Sequence, residues 1–358
     1  MRILQLILIF LLTMEIASAI ETSTVLPLIW DRKTDSQANS AAISSTGEII
    51  ITGSSDFKVY CYDNSGKQLW IYNTYGKVKS VAISADGKKI AAASEDDNIY
   101  LLDSAGNLIW KYNLGSDALS VAISPDGKYI AAGASDDKIY LFDFNKNLLW
   151  TKACANDVIA VAVANNGIAA AGTLGYDLYV FNLNGVQLWS FKAKSDVTGI
   201  AMTPSADYIA VSSRDRIVRL FREGNTPIWS ADCDSAVNAI AISPDGKYIA
   251  IGCDDTYVYL FINGNPAGKF KARQLVTGVA VTHNAEYIAA SSKDTYVYLI
   301  KGFGEAVTPG QTPSQTPMQT VTGTQTPAPT PSAKVYGFEL ILLVIALIFN
   351  AIYGKARY

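Results

Sequence analysis

The six tryptophans stand at positions 30, 70, 110, 150, 189 and 229, so successive ones lie 40, 40, 40, 39 and 40 residues apart. Phe270 continues the series after another 41. No other feature constrains the fold as hard, because one aromatic at a fixed period implies one structural unit per period. The unit reads as ALSVAIS (118–124), the turn PDG, KYIAAGA (128–134), the turn SDD, KIYLFD (138–143), a polar turn and NLLW (147–150). These are four short runs rich in β-branched and aromatic residues, punctuated by Gly, Asp, Asn and Pro. Four strands, a to d, in about 40 residues are the period of a propeller blade.

Strand a recurs seven times, as SAAIS, SVAIS, SVAIS, AVAVA, GIAMT, AIAIS and GVAVT. Its first position is always small: Ser40, Ser80, Ser120, Ala160, Gly199, Ala239 and Gly278. Small residues suit the innermost strand, which crowds a central channel. Strand c also recurs seven times, whereas KQLW, NLIW, NLLW, VQLW, TPIW and AGKF make only six d strands. The seventh unit ends at YVYLIKGFG with none. The missing strand is VLPLIW (25–30), near the start of the chain. It completes the last blade, puts Trp30 where Trp70 stands one blade on, and leaves no open edge in the ring. The expected fold is all-β: a seven-bladed propeller of four-stranded antiparallel blades over residues 20–303.

The flanks read differently. Residues 1–19 carry Arg2, an apolar run from Ile3 to Leu12 and Ala17-Ser18-Ala19, the pattern of a secretory signal peptide, with a retained N-terminal anchor as the alternative. Residues 304–334 form a Thr/Pro-rich linker, either a plain spacer or an O-glycosylated stalk. Residues 335–358 hold a short apolar stretch followed by Lys355 and Arg357, a membrane anchor or sorting signal with its basic tail inside. The propeller is then expected on the extracellular face of the cell membrane, anchored at its C-terminus.

SPDGKYIAAG (124–133) and SPDGKYIAIG (243–252) resemble WD-repeat propellers, and the GNLIW and GVQLW strands resemble the quinoprotein-type repeat, whose d-strand Trp packs between blades. The resemblance covers about residues 24–303 and implies the fold far more than an activity. The Gly-His pair of WD repeats is absent and Trp-Asp occurs once, at Trp30-Asp31 in a d strand, so their structural tetrad is not carried over. Adjacent cysteines, a mark of some quinoprotein dehydrogenases, are absent too. The C-terminus resembles the archaeal tripartite sorting signal: Gly337 and Phe338 match, with Tyr336 in place of Pro.

A net charge of −3 leaves no basic footprint for nucleic acid, and the single histidine, His283, argues against His-based metal sites and triads. There is no G-x-S-x-G elbow, P-loop or Cys-x-x-Cys. Asp recurs in the b–c turn at Asp56, Asp96, Asp136, Asp215, Asp255 and Asp294, with Gly175 as the exception. Calcium could use such carboxylates, but a repeated turn position is better explained by Asp bonding its own backbone. The Tyr row of strand c (Tyr60, Tyr100, Tyr140, Tyr179, Tyr259, Tyr298) reads as blade packing, and so does the Trp series, against carbohydrate stacking. Arg219 breaks the Tyr row and reads as a surface Arg lying along its strand. No cofactor or metal is expected.

A ligand would be sought at the d–a and b–c loops, which open on one face of the disc. The residues entering strand a vary most: Gln37, Lys77, Asp117, Asp157, Asp196, Ala236 and Leu275. Lys77, Asp117, Asp157 and Asp196, with Glu95 and Arg214 from b–c turns, are the candidate binding residues. Unconstrained loops would vary in the same way. Four cysteines allow three full pairings, and the repeat alignment places Cys233 beside Cys253, a candidate disulfide, with Cys61 and Cys154 unmatched. The leading expectation is a non-enzymatic module binding an envelope protein or glycan. An extracellular propeller enzyme (quinone-dependent dehydrogenase, lyase or hydrolase) and a purely structural envelope component are the alternatives.

Overall fold

Each 40-residue period folds into one antiparallel meander, because β-branched strands joined by tight turns pair with their chain neighbours. In the computed structural model, which describes residues 24–304, the unit quoted above forms strands Ala118–Ile123, Tyr129–Ala134, Lys138–Asp143 and Leu148–Ala153 in that spatial order. Seven such sheets form the ring, six four-stranded and one five-stranded. There is no helix among the described residues, so none there is long and apolar enough to cross a membrane. The leader at 1–19, the linker beyond residue 304 and the anchor or sorting signal at 335–358, with Tyr336, Gly337 and Phe338, lie outside the described residues.

The core is divided. Seven clusters of buried side chains lie one at each junction between adjacent blades. Rows of buried alanines in strand b, such as Ala91, Ala92 and Ala93, let neighbouring sheets approach closely. The tryptophans bridge these junctions as expected, but from the middle of strand d rather than its end, since the strand runs on to Ala153 past Trp150. The residue before Trp is bulged: Leu141 faces Trp150 and Phe142 faces Leu148, which leaves Leu149 extra. Trp30, Trp70, Trp110 and Trp150 donate Nε1–H to a carbonyl in the c–d turn of the next blade, at 2.8–2.9 Å. Trp189 and Trp229 lie against Phe221 and Phe261 of their next blades. The turn under Trp70 needs glycine twice over: Gly106 has φ +83°, and a Cβ there would come within 2.7 Å of the indole.

Ring closure follows the strand count. β2 (Leu28–Lys33) pairs antiparallel with Tyr296–Lys301 and gives blade 7 its outer strand, with Trp30 opposite Leu299 as Trp70 is opposite Cys61. The chain also does something the count does not reveal. Ahead of it, β1 (Thr24–Val25) runs parallel to the outer strand of blade 6, as the fifth strand of that sheet, opposite Gly268 and Lys269.

This explains a departure from the Trp period. Phe270 is not the seventh member. It pairs with Val258, as Tyr112 pairs with Ile99, and so stands two residues past the Trp position. The Trp position of blade 6 is Gly268, opposite Leu260. The space is taken by the two ends of the propeller: a Cβ on Gly268 would lie 2.6 Å from Leu26 and 3.0 Å from Phe303. Leu26 is 1% exposed. Leu26 enters before β2 and Phe303 follows the last strand, so one slot fastens both ends of the ring.

Candidate functional site: the loop face

The d–a and b–c loops are gathered on one face by a bond repeated in every blade. The carbonyls of Gln37, Lys77, Asp117, Asp157, Asp196, Ala236 and Leu275 accept the N–H of Ser55, Glu95, Ser135, Leu174, Arg214, Asp254 and Lys293, at 2.9–3.1 Å. The positions that vary most in side chain are therefore constant in backbone.

The b–c turn aspartates rigidify the same face. Asp96 Oδ1 accepts the Asn98 N–H at 3.1 Å, while Oδ2 takes the Tyr100 hydroxyl at 2.7 Å and the Tyr75 N–H at 2.8 Å. One carboxylate thus ties its own turn, strand c and the incoming d–a loop. Asp56 repeats this with Lys58 N–H, Tyr60 and Asp35 N–H. Tyr140, Tyr259 and Tyr298 reach Asp136, Asp255 and Asp294 in the same way. Burial works against ionisation of Asp96, but these donors outweigh it and hold the group below the ordinary carboxylate value. Tyr100 is pushed well above its usual value by burial and by the carboxylate it faces. Apart from the buried Asp136 Oδ1, the oxygens are engaged by protein donors, the local structural role expected of a repeated turn residue.

Arg219 corrects its sequence reading. It is 6% exposed, not a surface side chain. It replaces the Tyr of the lock, grips Asp215 through two nitrogens at 2.7 and 3.1 Å, and lies 5.3 Å over the ring of Phe191 from blade 4. A planar fork on a carboxylate is what Arg offers in place of a hydroxyl. Burial opposes ionisation of Asp215, yet Arg219 and the N–H groups of Lys194 and Ile217 hold its carboxyl below the usual range.

The candidate binding residues all lie on this face, in three environments. Lys77 and Lys79 flank Glu95 at 3.2 and 3.3 Å; burial disfavours the Glu95 carboxylate, but the two ammonium groups prevail and hold it below its ordinary value. Asp196 and Arg214 make a looser pair at 3.6 Å. Asp117 is exposed. Asp157 is pushed above the ordinary Asp value, first by burial and then by the neighbouring carboxylate of Asp137, a residue the sequence reading passed over. Among the described residues no three His, Cys, Asp or Glu side chains group as a metal site would require. His283 sits in the a–b turn of blade 7, where its N–H reaches the Ser45 carbonyl at 3.3 Å.

At the centre, the second residue of each strand a rings the channel mouth: Asn39, Lys79, Leu119, Ile159, Thr198, Asn238 and Thr277, around a cavity of about 200 Å³. Sequence reading stopped at the small residue just after each of them. Asn39, Thr198, Asn238 and Thr277 spend their side chains on the carbonyl of the next inner strand. Lys79, Leu119 and Ile159 make no such bond, so the mouth is apolar at blades 3 and 4, beside Asp117 and Asp157.

Cys233 and Cys253 meet as the alignment placed them, both as free thiols. The Cys253 thiol donates to the Cys233 sulfur, which holds Cys233 below the usual thiol value and, with burial, pushes Cys253 far above it. Cys61 is buried and Cys154 partly so, each thiol pushed up to about 12 by burial.

A ring of seven four-stranded blades with a rigid backbone and variable loop side chains defines the class: a seven-bladed β-propeller. Comparison with family models agrees. The model described as outer membrane protein assembly factor BamB matches residues 55–172 and 95–225, the WD domain, G-beta repeat model matches residues 30–63, and the anaphase-promoting complex subunit 4 WD40 domain model matches residues 200–284. No curated protein matches the chain. The fold is that of a binding or scaffold module.

Proposed function

We propose that the protein is a non-enzymatic binding module of the cell envelope, held at the outer face of the membrane through its C-terminal segment, with an envelope protein or glycan as the ligand of its loop face. The observation that carries this reading is the sevenfold backbone lock under side chains that vary around the ring, from Gln37, Lys77, Ala236 and Leu275 to the run of Asp117, Asp157 and Asp196. A fixed frame with freely chosen side chains suits recognition and does not by itself assemble catalytic groups. Carboxyl groups at Asp117, Asp157 and Asp137 beside the apolar Leu119 and Ile159 favour a partner that offers a cation next to an apolar group.

Two measurements test it. Candidate envelope proteins and glycans titrated into the purified chain should raise its melting temperature, and Asp117→Lys with Asp157→Lys should abolish that rise without moving the ligand-free melt. A shift unaffected by the double variant would place binding elsewhere. Protease added to intact cells should release the propeller by cutting within 305–334; a domain protected until lysis would reverse the topology.

A further inference from the structure

We infer that the outer rim between blades 3 and 4 is a second docking surface, distinct from the loop face, and that its occupant is an extended apolar peptide strand of a partner protein. A groove of about 500 Å³ lies there, lined by Tyr129, Asp143, Leu149, Trp150, Leu183 and Asn184. Leu149 is 41% and Leu183 36% exposed, and Leu148 beside them is 39% exposed. Beneath the groove runs the outer edge of Leu148–Ala153, a strand with one partner, Lys138–Asp143. An edge of this kind offers backbone N–H and C=O groups to any strand that arrives.

The molecule itself shows what such an edge accepts. At the corresponding rim of blade 6, β1 lies parallel to the outer strand, the Leu26 N–H bonds the Lys269 carbonyl at 2.8 Å, and Leu26 drops into the junction between blades 6 and 7. The register that equates Gly268 with Trp150 equates Lys269 with Thr151. The Thr151 carbonyl is thus the counterpart of the acceptor that β1 uses. At blade 6 the indole is missing and the incoming leucine replaces it. At blade 3 the indole is present, and the incoming apolar side chain would rest on Trp150 between Leu149 and Leu183. Backbone pairing would supply affinity and the leucine-lined groove selectivity, the usual division in strand addition. Residues 24–26 read Thr-Val-Leu, so the fitting partner segment is a β-branched residue followed by Leu, free of charge.

The probe is a capped peptide of residues 22–29, TSTVLPLI, carrying a photoreactive group at the position of Val25, added to the full chain. Cross-links should map to 148–153 and 183–184, and Leu149→Glu or Leu183→Glu should weaken binding about tenfold or more with the melt unchanged, because both side chains are already exposed. Cross-links confined to 265–271, which would mean exchange with the chain's own β1, would overturn the inference. So would cross-links on the loop face, or a groove covered by a second copy of the chain, read as self-association lost in Leu149→Glu. None of these outcomes bears on Asp117 and Asp157, so the rim and the loop face stand or fall separately.

Discussion

The junction between blades 7 and 1 and the junction between blades 4 and 5 are built from the same repeat by opposite means. At the first, polar groups cross throughout: Thr277 Oγ1 to the Ala38 carbonyl, Trp30 Nε1 to Asn64 and Arg32 Nε to Gly66. At the second, no hydrogen bond from an inner-strand side chain crosses among the described residues, because the positions that would make it hold Ile159 and Ala160. The lower turns still meet there, through Asn165 N–H to Pro204 and Asn166 Nδ2 to Ser205. Above them the contact is aromatic and ionic: Trp189 and Phe191 on Phe221 at 5.5 and 5.1 Å, with Arg219 over Phe191. A hydrogen-bonded seam fixes register residue by residue, whereas a packed seam depends on one buried ion pair keeping its partner. The contrast teaches that sevenfold symmetry of backbone does not imply sevenfold symmetry of energetics.

The largest effect should come from the closing segment. Deleting residues 20–30 removes β1, Leu26 and the first half of β2 with Trp30, which leaves blade 7 a largely bare outer edge and takes Leu26 out of the Gly268 slot. Loss of a cooperative melt, with aggregation, is expected. Within that segment Leu26→Ala alone should cost about 2–4 kcal/mol. A truncated chain that melts like the intact one would show that closure contributes nothing.

Next comes the seam between blades 4 and 5. Arg219→Ala strands a buried carboxylate and should cost about 3–5 kcal/mol. Arg219→Tyr, which restores the lock used by other blades, should cost much less. The pH dependence follows from Asp215, whose folded value lies below its unfolded one. Its contribution is fully present above the unfolded carboxylate value, about pH 4, and fades as pH falls through the folded value. Denaturant melts across that range should show Arg219→Ala losing less on acidification than the parent. Equal acid slopes in the two would mean that the pair does not carry this seam.

A comparable gain, of about 3 kcal/mol in the chain-entropy model, awaits oxidation of Cys233 and Cys253. The Cys233 sulfur, held toward thiolate, attacks an added disulfide such as oxidised glutathione and releases one glutathione; Cys253, on losing its proton, then attacks the Cys233 sulfur of the mixed disulfide, expels the second glutathione and closes a loop of about 20 residues. Peptide mapping without reductant should find these two linked and the oxidised chain melting higher. A bridge from Cys233 to Cys61 would contradict the strand register.

The sequence made much of this legible because the signal was repeated. Seven inner strands against six outer ones identified the missing strand and where it comes from, and one Trp per unit identified the junctions. What could not be read were departures at single positions. Phe270 passed for a Trp equivalent because a spacing of 41 hides a two-residue offset that only strand register reveals, while Gly268, at 39 from Trp229, carries no side chain to notice. Arg219 looked like a surface residue because its partner, Asp215, had been assigned to turn chemistry, and the two roles coincide in one carboxylate. The loop face was visible as variation, but its channel ring was not, since Leu119 and Ile159 look like any strand residue until the ring closes around them.

The smallest effect isolates blade 4, where Gly175 replaces the turn Asp. Thr173 Oγ1 there accepts the N–H of both Gly175 and Asp177, at 3.2 Å each, and Asp177 pairs instead with Lys192 at 3.2 Å. Tyr179 therefore has no turn carboxylate to bond, while Tyr100 has Asp96 at 2.7 Å. Removing the hydroxyl at Tyr100 leaves a partly buried carboxylate one donor short, which should cost about 1–2 kcal/mol. It should also move Asp96 back toward the ordinary value, so Tyr100→Phe should lose less stability than the parent on acidification below about pH 4. In Tyr179→Phe the stability and the acid limb should both stay within about 0.5 kcal/mol of the parent. Urea melts of the two single variants and of the double variant decide it: additive costs, nearly all from Tyr100, would establish the lock as a local device that each blade keeps or discards independently. Equal costs at the two sites would mean that the tyrosines act by packing alone and that the aspartates hold only their own turns.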